Sequence, residues 1–426
     1  MTEWLGLWWA SPNARTVTLG VAALAATAAY IGSFSFFRSR SLSGDAVAHA
    51  VLPGVCLAFL TTGQKHPAML LLGAFVSAFP ALLLIDAIGA RTKIKPDAAT
   101  AVVLSFFFGL GVVLLTFAQR AGNAAGLDKF LFGQAAALTP TDVYVFAVMG
   151  AVCVGLSLLF RKELLLVAFD KEYARAIGLP VRRLETLMTA LTVAAVVVGV
   201  NAVGVVLMAA LTITPAAAAR YWSDRSERVQ ALAAAFGAGC GVLGAAASFA
   251  APKTPTGPAM VVAMTLLAFS SVALSPKTGI VAKVLQKIRN KNRVFDENIL
   301  KTLYHLGEGD GRFWAERSLI EVARKRPFPL SKLVKRLDAL ARRGYVKKRR
   351  KWHWELTEKG LQYGKRMTKR HRLWEIYLSE KFGLAPDHVH EAAEVMEHFI
   401  TPELEAELIQ TLNRPEQDPH GKHVPY

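Results

Sequence analysis

Charge and thiols are what this sequence is short of. Only 19% of its 426 residues are charged and three are cysteine, whereas 53% are hydrophobic. Soluble domains average about 25% charged and about 45–50% apolar residues, so an ordinary water-soluble globule is excluded. Cys56, Cys153 and Cys240 all lie inside apolar stretches, which excludes a disulfide-rich secreted module. No Gly-x-x-x-x-Gly-Lys-Ser/Thr run occurs, so the chain brings no phosphate cradle of its own. Neither a Ser/His/Asp arrangement nor His-Glu-x-x-His is present, which leaves an intramembrane hydrolase without support. The stretch from Met1 to Ala14 lacks the basic start of a cleavable signal peptide. It carries Trp4, Trp8 and Trp9 instead, which suit a lipid headgroup belt.

The charge that is present is unevenly spread. Residues 1–276 hold 19 Lys/Arg and 12 Asp/Glu, residues 277–372 hold 28 and 9, and residues 373–426 hold 3 and 11. That pattern predicts a membrane half followed by a basic and then an acidic soluble region. Apolar runs near the roughly 20 residues needed to cross a bilayer recur nine times. They run Thr16–Phe37, Ser43–Leu60, Pro67–Gly89, Ala98–Phe117 and Thr141–Phe160, then Leu184–Val200, Val203–Ala219, Val229–Ala250 and Pro258–Leu274. Asn201 and Gly204 mark the break between the sixth and seventh; without that break there are eight. Placing the basic clusters at Arg38/Arg40, Arg91–Lys95, Arg161–Arg183 and Arg220–Arg228 on the inner side favours nine, an external N-terminus and a cytoplasmic C-terminus.

Ionisable residues in apolar context are costly and commonly mark a pathway. Asp45 and His49 stand four apart, so a helix would point carboxylate and imidazole together into the bundle. That pair could ligate a divalent cation or serve packing alone as a hydrogen-bonded pair. Pro53-Gly54 is expected to break the helix just beyond them, as in discontinuous transporter helices. Asp86, near the end of its run beside Arg91, reads as a snorkelling structural residue.

These residues carry a family resemblance. Ser41-Leu-Ser-Gly-Asp45-Ala-Val-Ala-His49-Ala-Val-Leu-Pro53-Gly54 resembles the signature of the zinc/manganese/iron permeases of ATP-binding-cassette importers. So do Phe169-Asp-Lys-Glu-Tyr-Ala-Arg-Ala-Ile-Gly-Leu-Pro180, the stretch Val203–Arg220, and Pro255-Thr-Gly-Pro258. The resemblance spans roughly residues 15–276. It implies a multi-pass inner-membrane permease that pairs with itself or a relative, docks a separate ATPase and receives metal from an extracytoplasmic binding protein. It places Asp45 and His49 on the transport path. It also makes Asp170–Pro180 the ATPase-coupling helix, with Asp170, Glu172, Ala174, Arg175, Gly178, Leu179 and Pro180 as its contact residues.

Beyond Lys277 the sequence changes character. Residues 277–293 read as a basic, partly amphipathic linker suited to an anionic leaflet. Helical spacing predicts a helix over Phe295–Leu306, a second over Arg317–Lys325 and a third over Leu330–Arg343. A basic strand, Lys347–Lys351, and a return strand, Trp352–Leu356, follow. Helix, helix–turn–helix and a two-stranded wing describe a winged helix over 294–366. Lys332, Lys335, Arg336, Arg342 and Arg343 would load its recognition helix, with Lys347 and Lys348 on the wing, a footprint that suits DNA phosphates or an anionic membrane. From residue 367 histidine and carboxylate gather. His371 and Glu375 are four apart, and His390, Glu394, Glu397 and His398 are expected on one helical face. Imidazole with carboxylate, and no thiolate, suits Mn²⁺, Fe²⁺ or Zn²⁺.

This half resembles the iron- and manganese-dependent repressors related to the diphtheria-toxin repressor, through Arg370–Glu375, Val389–His398 and Asp418-Pro-His-Gly-Lys-His-Val-Pro425. The resemblance implies a helical metal-binding and dimerisation domain over 367–426. It puts His371, Glu375 and His390 at one metal site and Glu394, Glu397 and His398 at another. The pattern departs in the first helix, where Asn298 and Lys301 occupy ligand positions unless Asp296 or Glu297 serves instead. The family's small third β domain is expected to be absent, because the chain ends at Tyr426. The fold class expected is therefore an all-α membrane bundle of eight or nine helices over 1–276, then a winged helix, then a helical metal domain. The expected function is a non-enzymatic importer subunit for a divalent transition metal with a metal-sensing domain; the alternative is a membrane-tethered, metal-dependent DNA-binding regulator.

Overall fold

The computed structural model describes residues 8–64, 66–120, 133, 135–251, 254–276 and 278–426; Trp4 lies outside them. The chain forms two compact units, Met1–Lys283 and Val284–Tyr426.

Unit one is helical throughout its described residues. It contains α1 (Pro12–Phe37), α2 (Ser43–Thr62), α3 (Pro67–Arg91), α4 (Pro96–Arg120), α5 (Pro140–Leu159), α6 (Arg161–Phe169) and α7 (Lys171–Ala176). α8 (Val181–Val203), α9 (Val205–Arg220), α10 (Ser226–Ala250) and α11 (Thr256–Leu274) complete it. α1, α3, α4 and α5 each open on proline, whose missing N–H costs nothing in a first turn. Eight of these helices are long and apolar enough to cross a membrane. α1, α2 and α8 are the inner ones, with 72%, 67% and 67% of their apolar windows buried against 22% for α4, α5 and α11. Phe106, Phe117 and Phe269 on those outer helices are exposed, as lipid contact requires.

Small residues set how closely the inner helices approach. A Cβ at Gly32 would lie 2.0 Å from the carbonyl oxygen of Thr212, and one at Gly54 2.0 Å from that of Gly73. α1 therefore meets α9, and α2 meets α3, backbone to backbone.

Two expectations change here. The break at Gly204 is present, with φ of 90°, but α9 has only 16 residues. At 1.5 Å per residue that is about 24 Å, short of a core about 30 Å thick, so the seventh run does not reach crossing length. Pro53 does not break α2, which continues to Thr62; a proline removes one ladder bond, and just past it Gly54 packs closely on Gly73 of α3. Asp86 is held by Arg40, in direct contact, and by Arg38 at 3.9 Å.

Unit two begins inside a long helix, α12 (Ile280–Asp310), so most of the expected linker is helical and continuous with the first predicted helix. β1 (Arg317–Ser318), α13 (Leu319–Lys325), α14 (Leu330–Arg342), β2 (Val346–Arg350) and β3 (His353–Leu356) follow, with antiparallel strand order β1-β3-β2. The helix expected from Arg317 starts at Leu319 because Ser318 and Glu321 form a capping box, leaving Arg317 and Ser318 to pair with Trp354 and His353. Trp352 takes a positive φ of 66° at the wing tip, so the return strand starts one residue late. Leu300, Leu303, Leu333, Leu337 and Trp354 fill the core of this winged-helix arrangement.

α15 (Glu358–Phe382), α16 (Pro386–Met396) and α17 (Pro402–Thr411) complete the unit. The stripe expected over 390–398 is cut short, since α16 ends at Met396. Thr401 caps α17 through the amide of Leu404, so the chain must turn between the two helices. Glu397 and His398 sit in that turn.

Candidate metal centres

In unit one, Asp45 opens the first turn of α2, where a carboxylate also offsets the helix dipole. One turn on, His49 Nε2 lies 3.4 Å from Asp45 Oδ1, and both side chains are partly buried. The edge of the His49 ring meets Phe108 of α4 at 4.9 Å between centroids. Its Nδ1 is buried and has no hydrogen-bond partner. Pro53 supplies no N–H to the carbonyl of His49, so that oxygen also lacks its ordinary helical donor. A carboxylate, an imidazole with a buried unpartnered nitrogen and a carbonyl without its usual helical donor thus share one turn.

The expected coupling segment forms α7. Asp170 caps it by accepting from the amide of Tyr173 at 2.9 Å, and Glu172 pairs with Arg175 at 2.7 Å. Ala174 is buried, while Glu172, Arg175 and Gly178 are exposed. Gly178 needs its φ of 85° to turn the chain into Leu179-Pro180 and α8. Glu185 of α8 was not singled out in the sequence. It contacts Lys171 of α7 directly and lies 3.5 Å from Arg38, which in turn reaches Asp86 of α3.

In unit two, α15 and α16 bring His371, Glu375 and His390 together. Glu375 Oε1 lies 3.1 Å from His371 Nε2 and 3.0 Å from His390 Nδ1, and the two imidazole nitrogens are 3.2 Å apart. These donor atoms are close enough to share one ion. Burial opposes charge on Glu375, but the two histidines outweigh it and hold its carboxyl at about 2. Burial likewise works against protonating His371, and its contacts with Glu375 and Glu397 raise it regardless. Two nitrogens and a carboxylate fit a borderline divalent cation.

The other expected trio does not assemble alone. Glu394 and Glu397 converge on His371, with Glu397 Oε2 2.6 Å from His371 Nδ1. His398 turns instead to Glu297 of α12, at 2.6 Å. Asn298 Oδ1 is buried without a hydrogen-bond partner, and Asp296 is held by Arg336 and Arg343. Lys301 Nζ lies 2.8 Å from Glu394 Oε1 and 2.7 Å from Glu397 Oε2, and Arg326 holds the other oxygen of Glu394 at 2.7 Å. Burial would raise Glu394, and these cations bring it down to about 2.

One residue at this site escaped the sequence reading. His420 Nε2 stands 4.0 Å from Glu375 Oε1. It is carried there by the C-terminal tail, which Arg372 anchors. That guanidinium is 2% exposed, grips Glu308 with two bonds of 2.8 and 2.7 Å and reaches Asp418 at 3.4 Å. Asp418 accepts in turn from the amides of His420 and Lys422.

The basic residues of the winged helix are partly spent. Arg336 and Arg343 bind Asp296, Lys348 binds Asp338 at 3.0 Å, and Lys332 lies 4.4 Å from the Phe295 ring centre. Lys335, Arg342 and Lys347 make no ion pair among the described residues.

A bundle of eight crossing-length apolar helices is that of a multi-pass membrane protein, and Asp45 and His49 sit on one of them. Residues 11–275 match the ABC 3 transport family, and the chain belongs to it. Residues 357–426 match the iron dependent repressor, metal binding and dimerisation domain. A manganese transport system membrane protein of Bacillus subtilis is 39% identical over 387 residues, which is 90% of this chain and 88% of that protein. A zinc transport system membrane protein of Treponema pallidum is 42% identical over 277 residues, 65% of this chain and 93% of the relative. Among solved structures, PsaBC from Streptococcus pneumoniae in complex with Fab superposes with a TM-score of 0.58 at 30% identity, covering 65% of this chain and 97% of that one.

Proposed function

We propose that this chain is the membrane subunit of an ATP-binding-cassette importer for a divalent transition metal, Mn²⁺, Zn²⁺ or Fe²⁺, in the inner membrane. The observation that carries the reading is the Asp45–His49 turn, with its buried unpartnered Nδ1. Oxygen and nitrogen donors of intermediate hardness suit these ions, and so few protein ligands hold a cargo loosely enough to let it leave. Two permease chains, identical or related, enclose the path. An extracytoplasmic binding protein delivers the ion, and a separate ATPase drives the cycle against α7. The pairings Lys171–Glu185–Arg38–Asp86 give α7 a line of contacts to α1, α3 and α8.

The domain boundaries we propose are a permease over 1–276, a connecting segment over 277–293, a winged helix over 294–366 and a helical metal domain over 367–426. The last two are cytoplasmic. His371, Glu375 and His390 sense cytosolic metal and slow import when loaded. Metal uptake by vesicles holding the full chain or a truncation at residue 290, each with its ATPase, tests this. Added internal Mn²⁺ slows the full chain and spares the truncation; equal inhibition of both rules gating out.

A second reading is supported by Lys335, Arg342 and Lys347, which remain available for DNA phosphates. Metal-dependent retardation of duplex DNA by the solubilised chain at moderate salt is its test, and no retardation dismisses it.

A further inference from the structure

The cluster formed by His371, Glu394 and Glu397 already contains a cation. Lys301 enters it from α12 with a side chain only 5% exposed, and its ammonium bridges both carboxylates. With Arg326 on the far oxygen of Glu394, two negative and two positive charges balance inside the group. A divalent ion bound here needs carboxylate oxygens at about 2.0–2.2 Å, and those oxygens are the ones the ammonium occupies. To admit the ion, Lys301 must either withdraw, leaving its charge buried without these carboxylates, or give up its proton beside two carboxylates; each opposes binding. The neighbouring cluster differs. The ion-pair partners of Glu375 among the described residues are His371, His390 and His420, all imidazoles that can release a proton to a metal.

We propose that unit two holds one divalent cation per chain, at His371, Glu375 and His390, and that Lys301 is the resident cation of the second cluster and closes it to metal. The inference rests on the metal-sensing reading above. It has a mechanical consequence: α12 is fastened to the turn after α16 whether or not metal is present. A response to metal must then travel through the α15–α16 contact at Glu375 and His390, not through α12.

The test counts Mn²⁺ bound to the full chain in lipid nanodiscs by equilibrium dialysis, with Mn²⁺ paramagnetic resonance on the same samples. Substitutions are compared within the same chain, so ions held in the membrane path cancel. Glu375→Ala is expected to lower the count by one, and Glu397→Gln to leave it unchanged. Lys301→Met, which keeps the length of the side chain and removes the charge, is expected to add one ion, and its spectrum to show coupling between two neighbouring Mn²⁺; Lys301→Arg adds none. Monodispersity and thermal unfolding verify that each variant is folded, and Glu397→Gln and Lys301→Met report independently should one of them misfold. Loss of an ion in Glu397→Gln, or no gain in Lys301→Met, overturns the closed site while leaving metal sensing intact. An unchanged count in both Glu375→Ala and Glu397→Gln overturns the sensing reading and this inference with it.

Discussion

Arg372→Met removes the cation that ties the C-terminal tail to α12 and α15. In the wild type the guanidinium is almost fully buried, grips both oxygens of Glu308, faces Asp418 and donates to the carbonyl of His423. Methionine fills much of the space but leaves Asp418 without a counter-charge and Glu308 with His305 alone. Breaking a buried pair from one side costs about 3–5 kcal/mol. At about 1.4 kcal/mol per tenfold, the tail should open roughly 100- to 4000-fold more often. Hydrogen exchange in the full chain reads this directly at the amides of Asp418, Lys422 and Val424, which are bonded to Lys422, Asp418 and Glu416. There is also a pH signature. Burial opposes ionising Glu308, but His305 and Arg372 hold its carboxyl at about 2 instead of 4.5. A displacement of that size is worth about 3 kcal/mol, and about half that for a side chain exposed by a third. Because the folded-state value is depressed, this stabilisation is complete above about pH 4.5 and is lost as pH falls towards 2. Arg372→Met should raise Glu308 and flatten the acid dependence of tail protection between those values. Unchanged exchange in the tail, with unchanged pH dependence, would refute the anchoring role.

Further outcomes follow from the same contacts. His420→Ala should weaken Mn²⁺ binding to unit two about tenfold, the scale seen for supporting partners of a metal site, with thermal stability unchanged; equal affinity in titration calorimetry removes His420 from the site. Glu185→Gln should leave the permease–ATPase complex assembled but reduce metal-stimulated ATP hydrolysis, since α7 loses its tie to α8; full stimulation contradicts a coupling role. Gly54→Val should cost more than about 3 kcal/mol, because its side chain would have to displace the Gly73 carbonyl, and normal yield with an unshifted melting temperature would show that α2 and α3 do not approach so closely.

Much of the fold was legible because local rules govern it. Apolar runs of crossing length, proline at helix starts and a period of 3.6 through Ile299, Leu300 and Leu303 mark helices wherever they occur. Asp45 with His49, and His371 with Glu375, were legible because four residues make one helical turn. What stayed hidden depends on distant chain segments. Lys301 meets Glu394 and Glu397 across more than ninety residues; the resemblance put it at a ligand position, but not as the cation that bridges those two carboxylates. Asp86 read as a structural residue near the end of its run, and nothing local named its partners, Arg38 and Arg40, which the fold delivers from across the chain. His420 belongs to a tail with no periodicity, and only the Arg372 anchor brings it to Glu375. β1 is two residues long, too short for any alternation to show.

The most direct test of the transport path is ATP-driven Mn²⁺ and Zn²⁺ uptake by proteoliposomes containing the chain and its ATPase, compared with Asp45→Asn and His49→Ala. Uptake that depends on ATP in the wild type and falls by at least about tenfold in both variants, with ATP hydrolysis retained, is the predicted result. Undiminished uptake in both variants would contradict it.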